Sequence, residues 1–360
     1  MSKNLGSDGV YGNVSTPINA PVKERCCSFE ALYKATQQCK KNVMWKDSVA
    51  GFVKNEVKNC IKLNKELMSG SYRISKYSVF EVHEKKTRTI VSTRMRDRVV
   101  QRALCDNYLY KELTKGFIYD NCACLKGRGT DFARNRLKCH MQRYFRKSGC
   151  DGYVLKVDIH DYFGSTLHSV AKDAVRKRVP DEWARGMVYD VIDSFTHISP
   201  DRGMGLGSQI TQLVQLAVLD DLDHIIKQEL RVKHYVRYMD DFVLIHSDKD
   251  FLKACEVRIT EELKNLGLSV NPNKTGIQPI KHGIKFLGFR FNLTKSGSVM
   301  MKLLPGKVGK ERRKLRKLSK QLDRESFYNC YISWRSFANK GNTYSLLQGM
   351  DAYVRGLQNE

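Results

Sequence analysis

The sequence has no long hydrophobic segment and few acidic residues for its length. No apolar run approaches the roughly 18 residues of a membrane-spanning helix, and the sequence has no signal-peptide pattern. We therefore expect a cytoplasmic protein that does not act at a membrane. Its 38 Asp and Glu residues are outnumbered by 63 Lys and Arg residues, which gives a net charge of +25 and a pI near 9.6. This surplus favours a polyanionic partner.

Paired cysteine motifs are also missing. The 11 cysteines are scattered and odd in number, so they do not form a disulfide framework. Cys26-Cys27 and Cys122-Ala-Cys124 lack the two-residue spacing of zinc knuckles. We expect free thiols in a reducing compartment and no structural zinc.

The 360 residues are sufficient for two or three subdomains with cores of their own. Residues 1–25 are rich in Gly, Ser, Asn and Pro without periodicity, and are predicted to be a flexible tail. Residues 29–68 have helical spacing with a break near 42–46, which predicts two helices. Residues 77–84 and 89–92 are predicted strands around a basic tip.

Residues 234–246 carry the most informative pattern. Two short runs rich in β-branched and aromatic residues flank a turn with adjacent carboxylates, Asp240 and Asp241, which predicts a β-hairpin. Adjacent ionised carboxylates repel each other unless a cation lies between them, and Mg²⁺ is a usual partner of oxygen ligands. A further carboxylate, Asp158, ends the apolar, strand-length run 153–157. Three such carboxylates are what a two-metal phosphoryl-transfer site requires.

The segment Tyr238-Met-Asp-Asp241, together with Asp158 and Phe163, resembles the palm of reverse transcriptases. The Y-x-D-D tip and the upstream D-x-x-x-x-F/Y are the most specific marks of that family. The alternative is a surface hairpin and an unrelated aspartate at the end of a strand. The resemblance covers roughly residues 72–360 and is to the bacterial type, including the enzymes of group II introns.

The resemblance implies an α+β, right-hand polymerase fold with fingers, a palm built on an antiparallel sheet, and a helical thumb. The expected divisions are N-terminal helices and fingers at 26–150, palm at 151–290 with a helical insert at 166–200, and basic thumb at 291–360. Asp158, Asp240 and Asp241 would be catalytic and would bind two Mg²⁺ ions, with Ile159 as a further ligand. One ion would activate the primer 3′-hydroxyl, and the other would hold the triphosphate and leaving group.

The same resemblance implies contacts to the incoming dNTP. Phe163 occupies the position of an aromatic steric gate that leaves no room for a 2′-hydroxyl, although a core role is the alternative for a Phe. Lys274 lies where motif D offers a general acid to the pyrophosphate. The full expected set is Lys85, Lys86, Arg88, Phe163, Leu206, Gly207, Gln212 and Lys274, of which Arg88 and one of the two lysines would clamp the triphosphate.

The Gly-rich loop at 200–212 opens a long helix but lacks the Gly-Lys-Ser/Thr of a phosphate-binding P-loop. It resembles motif B, in which many family members have Pro-Gln-Gly. Here Leu206 replaces that Gln before Gly207, as in reverse transcriptases of diversity-generating retroelements. Loss of a polar contact to the nucleotide sugar is expected to lower fidelity. Comparing misincorporation by Leu206→Gln with the parent tests this hypothesis.

Several basic or turn segments resemble parts of the family that contact nucleic acid. Residues 94–102 resemble the R-D-R-x-x-Q segment, 117–130 the second motif, and 283–289 the primer grip. Residues 307–324 contain nine Lys or Arg and an apolar seam, typical of a helix that turns its basic face to a duplex. A supporting role at 94–102 and a solvated charge run in the thumb are the alternatives. The expected contacts are Arg96, Arg98, Lys126, Arg128, Tyr238, Met239, Phe286, Leu287, Gly288, Arg312, Arg313, Arg316 and Lys317.

The expected function is synthesis of cDNA on a structured noncoding RNA, in phage defence, a diversity-generating retroelement or a retron. Expected partners are that RNA, the nascent cDNA and dNTPs; an accessory protein or a homo-oligomer is left open. Two alternatives remain, a catalytically silent RNA-binding scaffold and an RNA-dependent RNA polymerase. The three mutually repelling acids argue against the first, and Phe163 argues against the second.

Overall fold

The computed structural model describes residues 19–83, 87–196, 199–205 and 207–359. These residues form two compact units, one containing the described residues of 19–115 and 166–218, the other containing 116–165 and 219–359. The domain divisions expected from the sequence stay predictions. No helix in the described ranges has the length and apolar character needed to cross a bilayer.

Helices predominate, and strands are short. In chain order the helices are α1 (Val22–Cys27), α2 (Phe29–Cys39), α3 (Asp47–Val53), α4 (Glu56–Ser69), α5 (Met95–Leu104), α6 (Tyr110–Thr114), α7 (Thr130–Ser148), α8 (Tyr162–Ser165), α9 (His168–Arg176), α10 (Glu182–Asp193), α11 (Gln209–Val218), α12 (Asp220–His224), α13 (Lys249–Asn265), α14 (Lys307–Leu318), α15 (Arg324–Ala338) and α16 (Tyr344–Asn359). The strands are β1 (Ser78–His83), β2 (Thr87–Ser92), β3 (Tyr153–Asp158), β4 (His234–Tyr238), β5 (Asp241–His246), β6 (Gly276–Pro279), β7 (Ile284–Phe286), β8 (Phe289–Leu293) and β9 (Val299–Leu303).

The first unit is built on its N-terminal helices and α5. Leu32 of α2, Leu63 of α4 and Val99 of α5 pack in one core. The prediction of two helices over residues 29–68 was incomplete, because the second is divided at Asn55, whose φ of −125° leaves helical geometry. The predicted strands β1 and β2 are confirmed as an antiparallel pair.

The second unit contains a four-stranded antiparallel sheet in the order β4-β5-β3-β6. Successive side chains of a strand point to opposite faces, and both faces of this sheet are covered by helices. Leu155 and Leu244 pack in the core that includes α13, whereas Val154 and Val243 pack in the core that includes α7. Lys156 and Asp158 therefore share the face of Val154.

The C-terminal part of this unit has a three-stranded antiparallel sheet, β7-β8-β9, followed by three helices. Leu315 of α14, Phe327 and Tyr331 of α15, and Met350 of α16 form its helical core. The α+β class expected from the sequence, with an antiparallel central sheet and a helical C-terminal region, is confirmed.

Candidate active site

The three candidate catalytic carboxylates lie at one end of the four-stranded sheet. Asp158 is the last residue of β3 and pairs directly with Asp241, the first residue of β5. The turn between β4 and β5 consists of two residues, Met239 and Asp240. The pairing of Tyr238 with Asp241 closes this turn. Directly opposed residues of an antiparallel pair have Cα atoms about 4.5–5.5 Å apart. The structure therefore brings together three acids that are distant in sequence.

The turn has an unusual backbone conformation. Its first residue, Met239, has a φ of +55°, a region that few non-glycine residues adopt. The backbone N–H of Ile159 donates to the carbonyl oxygen of Asp240 at 3.3 Å, which links the turn to the segment after β3. The Ile159 side chain is buried and apolar, so only its backbone carbonyl could bind a metal ion.

Two lysines approach the carboxylates. The Nζ atom of Lys274 lies 2.8 Å and 2.9 Å from the two carboxylate oxygens of Asp158, although its side chain is 56% exposed. The Nζ atom of Lys156 lies 3.2 Å from Oδ1 of Asp241. The sequence indicated Lys274 as a dNTP contact and missed Lys156. A charged residue two positions before Asp158 in an otherwise apolar strand was the available signal.

The segment after α13 fixes Asp158 further. The Asn271 side chain donates to Oδ1 of Asp158 at 3.2 Å, and its backbone N–H donates to the Asp158 carbonyl at 2.7 Å. The hydroxyl of Thr275 accepts from the Asp158 backbone N–H at 3.2 Å. Sequence reasoning missed these two residues as supports of the aspartate.

Asp158 is buried and the other two aspartates are half-buried, and the three carboxylates lie close enough to repel each other. Burial raises the pKa of Asp240, and the negative charge of Asp158 adds to this effect. Burial likewise raises the pKa of Asp241 from 3.8 to about 6; Asp240 and Asp158 reinforce the shift, and Lys156 opposes it. A further positive charge at this position would favour the ionised forms of both aspartates.

The donor set suits a hard divalent cation, which prefers carboxylate and carbonyl oxygens. As the side chains of the described residues stand, no group of three or more His, Cys, Asp or Glu forms a ready metal site. Lys274 and Lys156 instead provide the positive charge. The oxygen donors and the mutual repulsion of the three carboxylates suit a bound cation. Binding of such a cation would displace at least part of the contacts that the two lysines make with these carboxylates.

Phe163 follows the site on α8. Phe163 is half-buried against the core that includes α13. Its ring centroid lies 5.8 Å from that of Tyr162 in an edge-to-face arrangement. This position is compatible with a partly exposed gate and with a core residue.

The loop expected to act as motif B lies in the first unit. Gly207 is exposed with a φ of +104°, and Gln212 is half-buried on α11. The buried Ser208 hydroxyl donates to Oε1 of Gln101 at 2.8 Å, and the Thr211 hydroxyl donates to the Gly205 carbonyl at 2.7 Å. The bond between Ser208 and Gln101 joins this loop to α5, a pairing that sequence reasoning missed.

For four of the expected dNTP contacts the side chain is not described. Lys85, Lys86 and Leu206 lie outside the described residues, and Arg88 is described only as part of the backbone of β2.

Two of the arginines expected to contact nucleic acid are engaged with the protein itself. Arg96 forms an ion pair with Glu66 at 2.5 Å, and its guanidinium lies over the ring of Tyr72. Arg128 donates to the carbonyl oxygens of Ile118 and Asn121 at 3.3 Å and 2.8 Å. Lys126 is exposed and Arg98 is half-buried. Contact of these residues with a template stays a prediction.

The expected primer grip is the turn between β7 and β8. Leu287 and Gly288 form it with φ values of +42° and +90°, whereas Phe286 is buried. Arg134 was missed by sequence reasoning. Its Nε and Nη2 atoms donate to the Leu287 carbonyl at 3.3 Å and 3.2 Å, and its guanidinium lies over the ring of Phe289.

Helix α14 has the expected amphipathic distribution. Leu315 is fully buried, whereas the four basic residues predicted to face nucleic acid are exposed. The four are Arg312, Arg313, Arg316 and Lys317.

The chain matches a protein family and is similar to solved structures of telomerase. The family model described as reverse transcriptase (RNA-dependent DNA polymerase) matches residues 74–291. Similar solved structures include apo telomerase from Candida tropicalis truncated from its C-terminal domain, with 12% identity, a TM-score of 0.48, and coverage of 69% of this chain and 60% of that chain. Telomerase from Candida albicans in complex with a TWJ fragment of telomeric RNA has 10% identity and a TM-score of 0.48, with 74% and 55% covered. This chain thus spans less than two thirds of those telomerase chains, and no curated protein matched.

Proposed function

This chain belongs to the reverse transcriptase family, and we propose that it is an active RNA-directed DNA polymerase that copies an RNA template into cDNA. One observation carries the proposal of activity. Within the matched segment, the strand register sets Asp158 directly opposite Asp241, with Asp240 in the adjoining turn.

Asp158, Asp240 and Asp241, with the Ile159 carbonyl, would hold two divalent ions, and the oxygen-only donor set favours Mg²⁺. When bound, the ions supply activation of the primer 3′-hydroxyl and charge stabilisation of the pyrophosphate leaving group. The reaction joins the 3′-oxygen to the α-phosphorus of a dNTP, breaks the bond from that phosphorus to the bridging oxygen of pyrophosphate, and releases the hydroxyl proton to solvent.

Lys274 would change partner during this reaction. In this structure its ammonium contacts both carboxylate oxygens of Asp158, and its side chain is largely exposed. Released from Asp158, the ammonium would face the leaving pyrophosphate. There it would act as a proton donor to the departing oxygen.

Phe163 would select the sugar. Its half-buried ring is fixed against Tyr162 and the core, while part of it is available to a ligand. A ring beneath the ribose position excludes a 2′-hydroxyl by contact, which favours dNTPs over rNTPs.

The exposed cations of α14 would contact the template–primer duplex through its phosphates. The proposed partner is one structured noncoding RNA, and the proposed setting is phage defence or a diversity-generating retroelement. The net charge of +25 supports an RNA partner, and the Leu206-Gly207 pair in motif B supports the second setting. Sequencing of nucleic acid that co-purifies with the protein identifies the template.

The decisive experiment is extension of a DNA primer on an RNA template by the purified full chain with dNTPs and Mg²⁺. The wild type should extend the primer, and Asp240→Asn should reduce the rate by about 100-fold or more, because metal catalysis supplies several kcal/mol. Asp250→Asn is the matched control, since Asp250 is an exposed aspartate on α13. RNA binding without extension by the wild type would instead support the scaffold alternative, and preferred incorporation of rNTPs would support the RNA polymerase.

A further inference from the structure

Asp223 and Arg237 form a completely buried ion pair in the second unit. The Nε and Nη2 atoms of Arg237, on β4, lie 2.7 Å and 2.5 Å from the two carboxylate oxygens of Asp223, on α12. The Tyr235 hydroxyl donates to Oδ1 of the same carboxylate at 2.6 Å. The side chains of Asp223 and Arg237 are 0% exposed, so the arginine cannot contact a substrate.

Such a pair is poorly explained by stability alone. Moving two charges out of water is costly, and replacement of a buried ion pair by apolar side chains of similar volume is often neutral or stabilising. A buried charged network, once fully paired, instead provides a rigid and specific geometry. Another of its contacts indicates what that geometry is used for.

The guanidinium of Arg237 reaches the turn that carries the catalytic carboxylates. Its Nη1 atom donates to the carbonyl oxygen of Met239 at 3.2 Å. That carbonyl belongs to the peptide group that joins Met239 to Asp240, and Met239 has the positive φ described above. Backbone conformations of this kind persist only where the surroundings hold them in place.

The backbone of Arg237 is fixed as well. Its N–H donates to the Asp120 carbonyl, and its own carbonyl accepts from the N–H of Cys122, both at 3.0 Å. The arginine is therefore held at its main chain by a neighbouring segment and at its head group by Asp223. Both its main chain and its guanidinium are thus held in place where the guanidinium contacts Met239.

We propose that the Asp223–Arg237 pair is a positioning device for the catalytic turn. Arg237, oriented by Asp223, holds the Met239 carbonyl and thereby sets the direction of the Asp240 carboxylate. The inference rests on the proposed function, because it takes Asp240 as a ligand of the catalytic cations. Arg237 acts through the turn and is a positioning residue.

The test uses two variants of the full chain that break the contact in different ways. Asp223→Leu/Tyr235→Phe/Arg237→Met removes the network without leaving a buried charge or hydroxyl unpaired. Arg237→Lys keeps the charge beside Asp223 but lacks the fork that reaches two partners. Tyr235→Phe alone is the control, because it leaves both the ion pair and the contact to Met239.

Only variants whose circular dichroism matches that of the wild type are compared, so that all of them are folded. Three measurements then test whether the pair positions the catalytic turn. Amide hydrogen exchange of the peptide covering residues 238–242 should become at least about tenfold faster, since the turn opens more often. Mn²⁺ affinity, titrated without nucleic acid or dNTP, should fall. The kcat should fall by about 100-fold with the KM for primer–template little changed, as expected when a reacting group is misplaced by about 1 Å. Tyr235→Phe should match the wild type in all three.

The proposal is overturned if the folded variants keep wild-type exchange, Mn²⁺ affinity and kcat, for the pair would then only fill the core. A wild type that binds Mn²⁺ but does not polymerise would overturn the proposed function alone. Exchange and Mn²⁺ affinity of the variants would still decide the role of Arg237.

Discussion

The Nζ atom of Lys156 lies 3.2 Å from Oδ1 of Asp241, across the two strands that carry the candidate catalytic acids. Lys274 makes the corresponding contact to Asp158. Three carboxylates are thus offset by two ammonium groups of the protein itself. The oxygens that would bind divalent cations are therefore the ones that these lysines occupy.

Lys156→Met should make the protein more dependent on Mg²⁺. Without this ammonium, Asp241 faces Asp158 and Asp240 with less compensation, so the metal-free protein should lose about 1 kcal/mol of stability, equivalent to about 2–4 °C in Tm. The rise in Tm on adding Mg²⁺ should exceed that of the wild type. Thermal unfolding with and without Mg²⁺ measures both effects.

The matched control for this experiment is Lys253→Met, since Lys253 is an exposed lysine paired with Asp250 at 2.8 Å on α13. Its rise in Tm with Mg²⁺ should equal that of the wild type. An unchanged Mg²⁺ effect in Lys156→Met would show that the lysine does not compete with the cation.

Phe163→Ala should relax the choice of sugar. Removal of the ring opens the space that a 2′-hydroxyl would occupy, so the ratio of kcat/KM for dNTP to that for rNTP should fall by about tenfold or more, equivalent to about 1.4 kcal/mol. Single-nucleotide extension measures the ratio. Phe251→Ala removes a half-buried ring that packs on the same core and should leave selectivity unchanged; equal ratios in both variants would assign Phe163 to the core alone.

Ser208→Ala should destabilise the protein through Gln101. The change leaves the buried Oε1 of Gln101 without its donor, at a cost of about 1–3 kcal/mol. Gln101→Leu/Ser208→Ala should recover much of that loss, because both polar partners are then absent. Urea unfolding of the wild type, the single variants Ser208→Ala and Gln101→Leu, and the double variant gives the coupling energy, and strictly additive effects would contradict the pairing.

His234 should contribute to acid sensitivity. Burial lowers its pKa from 6.5 to about 4, and the nearby charges of His140, Lys227 and Arg143 add to the effect. The unfolded chain takes up this proton near pH 6.5, whereas the folded protein does so only near pH 4. The contribution of His234 to stability is therefore complete above about pH 7 and is lost as the pH falls towards 4.

His234→Phe removes this titration and keeps an aromatic ring beside His140 and Tyr144. Between pH 7.5 and 5 the variant should lose about 1–2 kcal/mol less stability than the wild type in urea unfolding. Parallel losses in the two proteins would show that His234 is protonated equally in both states.

Local sequence patterns predicted the strands at the site, because the short apolar runs of β3 and β5 and the polar turn at Asp240 are properties of neighbouring residues. The grouping of Asp158 with that turn came from resemblance to a family, and the strand register agrees with it. The amphipathic pattern of residues 307–324 likewise predicted the exposed basic face of α14, whereas the role of Phe163 stays a prediction.

The partners of these residues were decided by the tertiary structure. Lys274 and Asp158 are 116 residues apart in the chain. No periodic pattern in the sequence predicts which carboxylate a long, flexible lysine side chain contacts. Arg237 is the clearest case, since an arginine in a strand is ordinarily expected at the surface, yet here it is buried against Asp223. The sequence determined which segments become strands and where the acids lie along them. Only the tertiary structure decided which charged side chains contact each other, because such contacts depend on which elements, distant in sequence, pack together and exclude water.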